Sequence, residues 1–330
     1  MKKVFSILLI SAFIMGLTTM PVLAKTVWNA NSVWPPKNHH SVGLNDFAEK
    51  VKTATNGDLE LVVHTGGALG YKGPVLLKAL RDGLVPLSDM LISGVAGDEK
   101  FFQIVTLPFL VRNFDELNLL LNISRPYFDK SAKKWGQKIL YIAPWPGAGL
   151  WTKKKITTID DLKGLKTRTY DKNGALVMEA VGATPLALPF SEVYTSLQTG
   201  LIDSVMTSTP TAVDGKFWEV LKYYEPLNIT LATDMVNVNL KAFNKLPKAQ
   251  QEILVKIGKE MEKAMFAKVK TIDKEQEAIS NKNGIETVSP SAKFMNDLEK
   301  ITEKIRADWF KTAPADAKKI HAEFMKKVKR

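Results

Sequence analysis

From Pro247 to Asn281 the apolar residues Leu254, Ile257, Met261, Met265, Val269 and Ile272 recur every three or four positions without a break. That spacing places them on one stripe of an α-helix. At 1.5 Å per residue the helix runs roughly 50 Å. This exceeds the width of one domain, so the helix is expected to lie across two. A chain of 330 residues is long enough for about two domains. With 45% hydrophobic and 24% charged residues it is too evenly mixed to be disordered or fibrous.

The N-terminus predicts a compartment. Met1-Lys2-Lys3 is a charged lead, Val4 to Leu17 carries no charge, and Val22-Leu23-Ala24 puts small residues before a cleavage point. This is the pattern of a secretory signal spanning 1–24 and cut after Ala24. No later segment is both long and apolar enough for a membrane span. The chain has no cysteine, which excludes disulfides, thiolate chemistry and a lipid anchor at the cleavage site. Four histidines leave little for a histidine-ligated metal, so neither a metal nor a cofactor is expected. The net charge of +12 comes almost wholly from lysine, with six arginines. It reads as a solvated surface, and with an export signal no nucleic-acid partner is expected.

Along the chain, short strands alternate with helical patterns. Thr26 to Ala30, Leu59 to His64, Asp89 to Ser93 and Lys138 to Ala143 read as strands. Between the first two, Leu44, Phe47, Ala48 and Val51 have helical spacing. Pro144-Trp145-Pro146-Gly147 then breaks the pattern and is a candidate hinge. Beyond it the alternation restarts, with strands at Leu165 to Tyr170, Pro185 to Leu188 and Leu201 to Met206. Such alternation implies mostly parallel sheets flanked by helices, with ligands at the carboxyl ends of the strands. Two units joined by a hinge imply a cleft.

Several motifs carry less than they promise. Gly66 to Gly70 lacks the Gly-Lys-Ser/Thr ending of a phosphate loop. Ser131-Ala132-Lys133-Lys134 matches a serine-acylase pattern without its companion motifs. His39 and His40 have no acidic neighbour in sequence, and a loop or surface position is expected for both. Trp145 and Trp151 flank the candidate hinge, where indoles offer rigid apolar surface to a ligand. Arg168 stands out because the chain otherwise prefers lysine, and a guanidinium holds a carboxylate through two parallel hydrogen bonds that lysine cannot make.

Three stretches carry a family resemblance: Ile159-Asp160-Asp161-Leu162-Lys163-Gly164-Leu165-Lys166-Thr167-Arg168, then Gly182-Ala183-Thr184-Pro185, then Phe190 through Asp203. Gly67-Ala68-Leu69-Gly70, Leu107-Pro108-Phe109 and Asn244-Lys245-Leu246-Pro247 support them. The sequence resembles the DctP-type substrate-binding proteins of TRAP transporters. The resemblance implies an α/β, two-lobed, periplasmic-binding-protein-like clam shell, each lobe a mostly parallel sheet flanked by helices, with one long helix bridging both. Lobe I is expected from 25–145 plus about 234–272, and lobe II from 146–233 plus about 273–330.

The implied function is a periplasmic receptor, not an enzyme, that captures an organic carboxylate and delivers it to the small and large membrane subunits. Arg168 matches the family's carboxylate clasp, Phe190 an aromatic of the pocket, and Thr207 a polar position where many relatives have asparagine. Trp145, Trp151, Tyr71 and Asp171 complete the candidate set. Sialic-acid-binding relatives carry a further arginine near Ala148 and an acid near Ser93-Gly94, both absent here. A monocarboxylate with an apolar or aromatic body is therefore expected, bound by a monomer. A receptor for a sensor kinase, or an exported hydrolase or isomerase using Asp171, Glu192 or Asp203, remains open at this point.

Overall fold

The computed structural model describes residues 25–330; the expected signal segment lies outside them. Lobe I begins with β1 (Thr26–Asn31), α1 (His39–Ala54), β2 (Leu59–His64), α2 (Leu76–Arg81), β3 (Leu87–Leu91), α3 (Phe114–Lys134) and β4 (Gln137–Pro144). The chain crosses at 145–148 to build lobe II from β5 (Gly149–Thr152), β6 (Lys166–Thr169), α4 (Lys172–Ala180), β7 (Thr184–Ala187), α5 (Phe190–Gln198), β8 (Ser204–Thr207), α6 (Thr209–Asp214) and β9 (Tyr223–Glu225). It returns through 226–232 to β10 (Thr233–Asn239), α7 (Leu240–Lys245) and α8 (Lys248–Lys282), then ends with β11 (Glu286–Thr287), α9 (Ala292–Thr312) and α10 (Ala315–Val328).

The two sheets run β2-β1-β3-β10-β4 and β11-β9-β5-β8-β6-β7. Each is mostly parallel with one reversed strand. In lobe I this is β10, antiparallel to β3 and β4; in lobe II it is β5, antiparallel to β8 and β9. Each reversed strand is the first laid down after a crossing, because a chain arriving from the other lobe meets the sheet from its cleft end.

The long helix forms over 35 residues, as its periodicity predicts. Leu254, Ile257 and Met261 bury against lobe I, and Gly258 lets the helix meet β4 closely: a Cβ there would overlap the Leu140 carbonyl oxygen. Farther along, the Thr209 hydroxyl of α6 donates to Asp273 at 2.7 Å, tying the helix to lobe II. No helix among the described residues is long and apolar enough to cross a membrane.

The end of the chain departs from the expected division. Phe294 and Leu298 of α9 join the lobe II core, but Trp309 and, from α10, Ala317, Ile320 and Phe324 join the lobe I core. The apolar stripe of α10 finds its complement on α3, so the chain returns to lobe I once more.

Candidate functional site

The parallel strands of both lobes end at the same gap. Between the ends of β3, β4, β6 and β8 lies a small cleft, open at its mouth, with about 390 Å³ of free space counted out into the solvent. Trp34, Leu91, Trp145 and Ala232 wall it on the lobe I side; Arg168, Tyr170, Phe190, Thr207, Ser208 and Thr211 wall it on the other, with Pro146 and Ala148 of the first crossing at the back.

Arg168 sits in β6 between β7 and β8, paired with Leu186 and Val205, so its backbone is fixed from both sides. Its side chain is 5% exposed. The Nε–H donates to the Leu188 carbonyl at 3.0 Å, which aims the guanidinium across the sheet end. Its terminal nitrogens make no hydrogen bond or ion pair with the described residues. Burial lowers its pKa to about 10, with Tyr170 and Asp171 opposing the shift, so it remains cationic at neutral pH. A buried cation without a carboxylate partner is costly and calls for an anion from outside.

Phe190 opens α5, and its ring forms part of the cavity wall, as does Thr207 at the end of β8. Tyr170 is fixed by a hydroxyl–hydroxyl bond of 2.5 Å to Thr230, on the second crossing. Trp145 lies edge-on to Trp34, with ring centroids 4.7 Å apart. Their indole N–H groups both donate to Asp234, at 2.7 and 2.5 Å.

Of the seven residues singled out in the sequence, the structure gathers Arg168, Phe190, Trp145 and Thr207 around the cleft and places three elsewhere. Trp151 is fully buried in the lobe II core, stacked on Tyr224 at 4.1 Å and donating to the Thr207 carbonyl; as a β5 residue it points away from the cleft into its sheet's packing face. Tyr71 packs on the edge of the lobe I core. Asp171 caps α4, accepting the Gly174 N–H at 2.8 Å, and burial raises its pKa. His39 and His40 correct the surface expectation. Both are buried at the start of α1, with ring centroids 4.7 and 4.3 Å from that of Trp145, and burial holds both neutral.

Sequence reasoning missed Leu91, Pro146, Tyr170, Ser208, Thr211 and Ala232, whose role comes only from where the fold puts them, at the ends of β3 and β6, in the first crossing, at the start of α6 and before β10. Trp34 was one tryptophan among several, and the Pro35-Pro36 that follows it was the available signal of a rigid loop.

Hydrogen bonds cross the cleft on both flanks. The Asn173 side chain of lobe II donates to the Gln103 carbonyl at 2.9 Å and the Thr106 hydroxyl at 3.0 Å in lobe I. Asn38, which caps α1, donates to Asp214 of α6 at 2.6 Å. The two lobes thus touch directly beside the cleft.

Residues 30–313 match the family model DctP, bacterial extracellular solute-binding protein family 7. A solute-binding protein of Albidiferax ferrireducens is 24% identical over 280 residues, 79% of this chain and 78% of the relative. Among solved structures, DctP7 of Bordetella pertussis, an extracytoplasmic solute receptor binding pyroglutamic acid, is similar with a TM-score of 0.88 and 28% identity, over 91% of this chain and 99% of that one. A marine metagenome TRAP solute binding protein specific for pyroglutamate has a TM-score of 0.88 and 27% identity, over 92% and 99% of the two chains.

Proposed function

Since the chain belongs to bacterial extracellular solute-binding protein family 7, a family of receptors and not of enzymes, we propose that it captures a small monocarboxylate with a compact ring, pyroglutamate or a close analogue. It then presents that acid, outside the inner membrane, to the membrane subunits of a TRAP transporter. The observation that carries this reading is Arg168: a buried guanidinium whose terminal nitrogens are ion-paired to no carboxylate of the described residues, opening into a small, mainly apolar cavity.

The chemistry follows from that arrangement. A carboxylate entering the open cleft meets the two terminal nitrogens of Arg168, which form a planar fork suited to two parallel hydrogen bonds. Phe190 and the lobe I indoles cover the body of the ligand, excluding water and strengthening the ion pair. Because closing around an unpaired guanidinium is unfavourable, the ligand shifts the population toward the closed lobes. Closing would flex the connections between the lobes, 145–148, 226–232, α8 and the later part of α9. The pyroglutamate receptors of similar fold support a compact ring as the ligand body.

The test is a thermal-shift screen followed by calorimetry, with pyroglutamate, proline, aromatic monocarboxylates, dicarboxylates, hexuronates and pyroglutamate amide. Ligand at a hundred times its Kd adds about 2.7 kcal/mol of stability. Pyroglutamate or a similar ring acid is expected to bind and its amide to fail. Tight binding of a hexuronate with no response to compact ring acids would overturn the ligand class; equal binding of acid and amide would overturn the role of Arg168.

A further inference from the structure

Behind the indoles of the cleft wall lies a second layer of buried acid. Asp89 of β3 and Asp234 of β10 are 1% and 0% exposed, and their carboxyl groups face one another. Asp234 accepts both indole N–H groups, one on each oxygen. Neither oxygen of Asp89 accepts a well-formed hydrogen bond, the Met90 N–H bearing on it only weakly. Among the described residues no lysine or arginine pairs with either acid. With carboxylate oxygens within 4.8 Å of one another, two buried acids without a counter-charge cannot both stay ionised.

We infer that Asp89 and Asp234 hold one proton between them, and that Asp234 is thereby a positioning residue, fixing the indoles of Trp34 and Trp145 that form the lobe I wall of the cleft. Asp89 carries the proton and donates it to Asp234, whose negative charge is shared with the two indole donors. Burial pushes both acids up; the charge of Asp234 raises Asp89 further, while hydrogen bonds from Trp145, Asp89 and Trp34 hold Asp234 down. The titratable groups around the pair do not supply a charge. His40 and His39 of α1 are held neutral by burial, Tyr141 of β4 is pushed far above its ordinary value, and Lys268 of α8 bears on His39. Asp46 bears on Tyr141 as a further negative group. Donor-type atoms of His40, Asp89 and Asp234 do lie within 4.8 Å of one another. A proton suits the site better than a cation, because with an indole N–H on each Asp234 oxygen one further acceptor position is enough for a proton but not for a coordination shell.

The inference rests on the proposed function only for its affinity consequence. Incorporating 5-fluorotryptophan and recording fluorine NMR of the ligand-free protein reads the indoles directly, with Trp34→Phe and Trp145→Phe assigning two of the seven resonances. As the pH is lowered from about 8 to about 4, those two are expected to move together with a midpoint above the ordinary aspartate range. Asp89→Asn supplies a donor that never titrates. It should leave both resonances at their neutral-pH positions and pyroglutamate affinity within about twofold. Asp234→Asn presents an N–H to one indole donor, so it should displace both resonances and weaken binding about tenfold or more at neutral pH.

Unmoved Trp34 and Trp145 resonances in Asp234→Asn would overturn the positioning role, even if its melting temperature fell. Should that variant fail to fold, the wild-type titration and Asp89→Asn decide alone. Asp89→Asn displacing both resonances, or a stoichiometric metal in the purified protein, would overturn the shared proton. If no acid binds any variant, the proposed function fails while the fluorine spectra still judge the pair.

Discussion

Lobe I buries two acids behind the indoles that face the cleft, whereas lobe II buries a guanidinium with its terminal nitrogens directed into it. The acids of lobe I are satisfied from within, by two indole donors and, on our inference, a shared proton, and the wall they support offers shape. The cation of lobe II has only the Leu188 carbonyl as a close partner and offers charge. The difference divides recognition into a stiff side complete before the ligand arrives and a side completed by the ligand itself.

The strongest way to break this division is to remove the charge. Arg168→Ala should cost about 2–5 kcal/mol of binding, and Arg168→Lys should keep the charge but lose the fork. Calorimetry with the best ligand checks both, and wild-type affinity in Arg168→Lys would rule out two-point clasping.

Next is the seam between the walls. Asn173→Ala removes two buried hydrogen bonds across the cleft and should cost about 1–3 kcal/mol, seen in stopped-flow measurements chiefly as faster ligand release. A faster association with unchanged release would place these bonds outside closure.

On the lobe I wall, Leu91→Ala should cost about 1–2 kcal/mol for the cognate ligand through lost apolar contact. It should leave the demand for a carboxylate intact, so the amide still fails. Binding of the amide by this variant would mean that lobe I also reads charge.

The smallest effect sets the background against which the walls are judged. Glu225, at the end of β9 and away from the cleft lining, accepts the Ile156 N–H, and burial raises its pKa from 4.5 to about 7. The fold favours its neutral form. Its stabilising contribution is therefore full below pH 4.5 and lost as the pH rises through about 7. Glu225→Gln should flatten the melting temperature in that window with little change in ligand affinity. An unchanged slope would show that Glu225 does not carry it.

The sequence made the local features legible because each is written in one short window. The stripe from Leu254 to Ile272 needs only its own spacing to announce α8, and Leu59 to His64 is a strand with the expected limits. Arg168 was legible by rarity and by the motif around it. The tryptophans were not separable: Trp145 and Trp151 look alike as neighbours of a hinge, but Trp151 lies within β5, where alternation turns its ring inward, and Trp145 lies in the crossing. Nor could the facing of Asp89 and Asp234 be read, since it arises from the antiparallel register of β3 and β10, strands far apart in the chain. The same limit hid the return of α10 to lobe I, because an apolar stripe says that a helix packs without saying on what.

The position of β10 bears on how the molecule assembles. It lies between β3 and β4 in the sheet, though it follows all but the last strand of lobe II in the chain. As the polypeptide emerges from its N-terminus, lobe I therefore has its flanks before its middle and exposes two unpaired sheet edges until residue 239 is free. Most of lobe II forms from one uninterrupted run, 149–225. Contacts that close such long loops form slowly. The lobe that begins first should thus finish last, and its unfinished edges are the stretch of the folding pathway most exposed to aggregation and to the attention of chaperones.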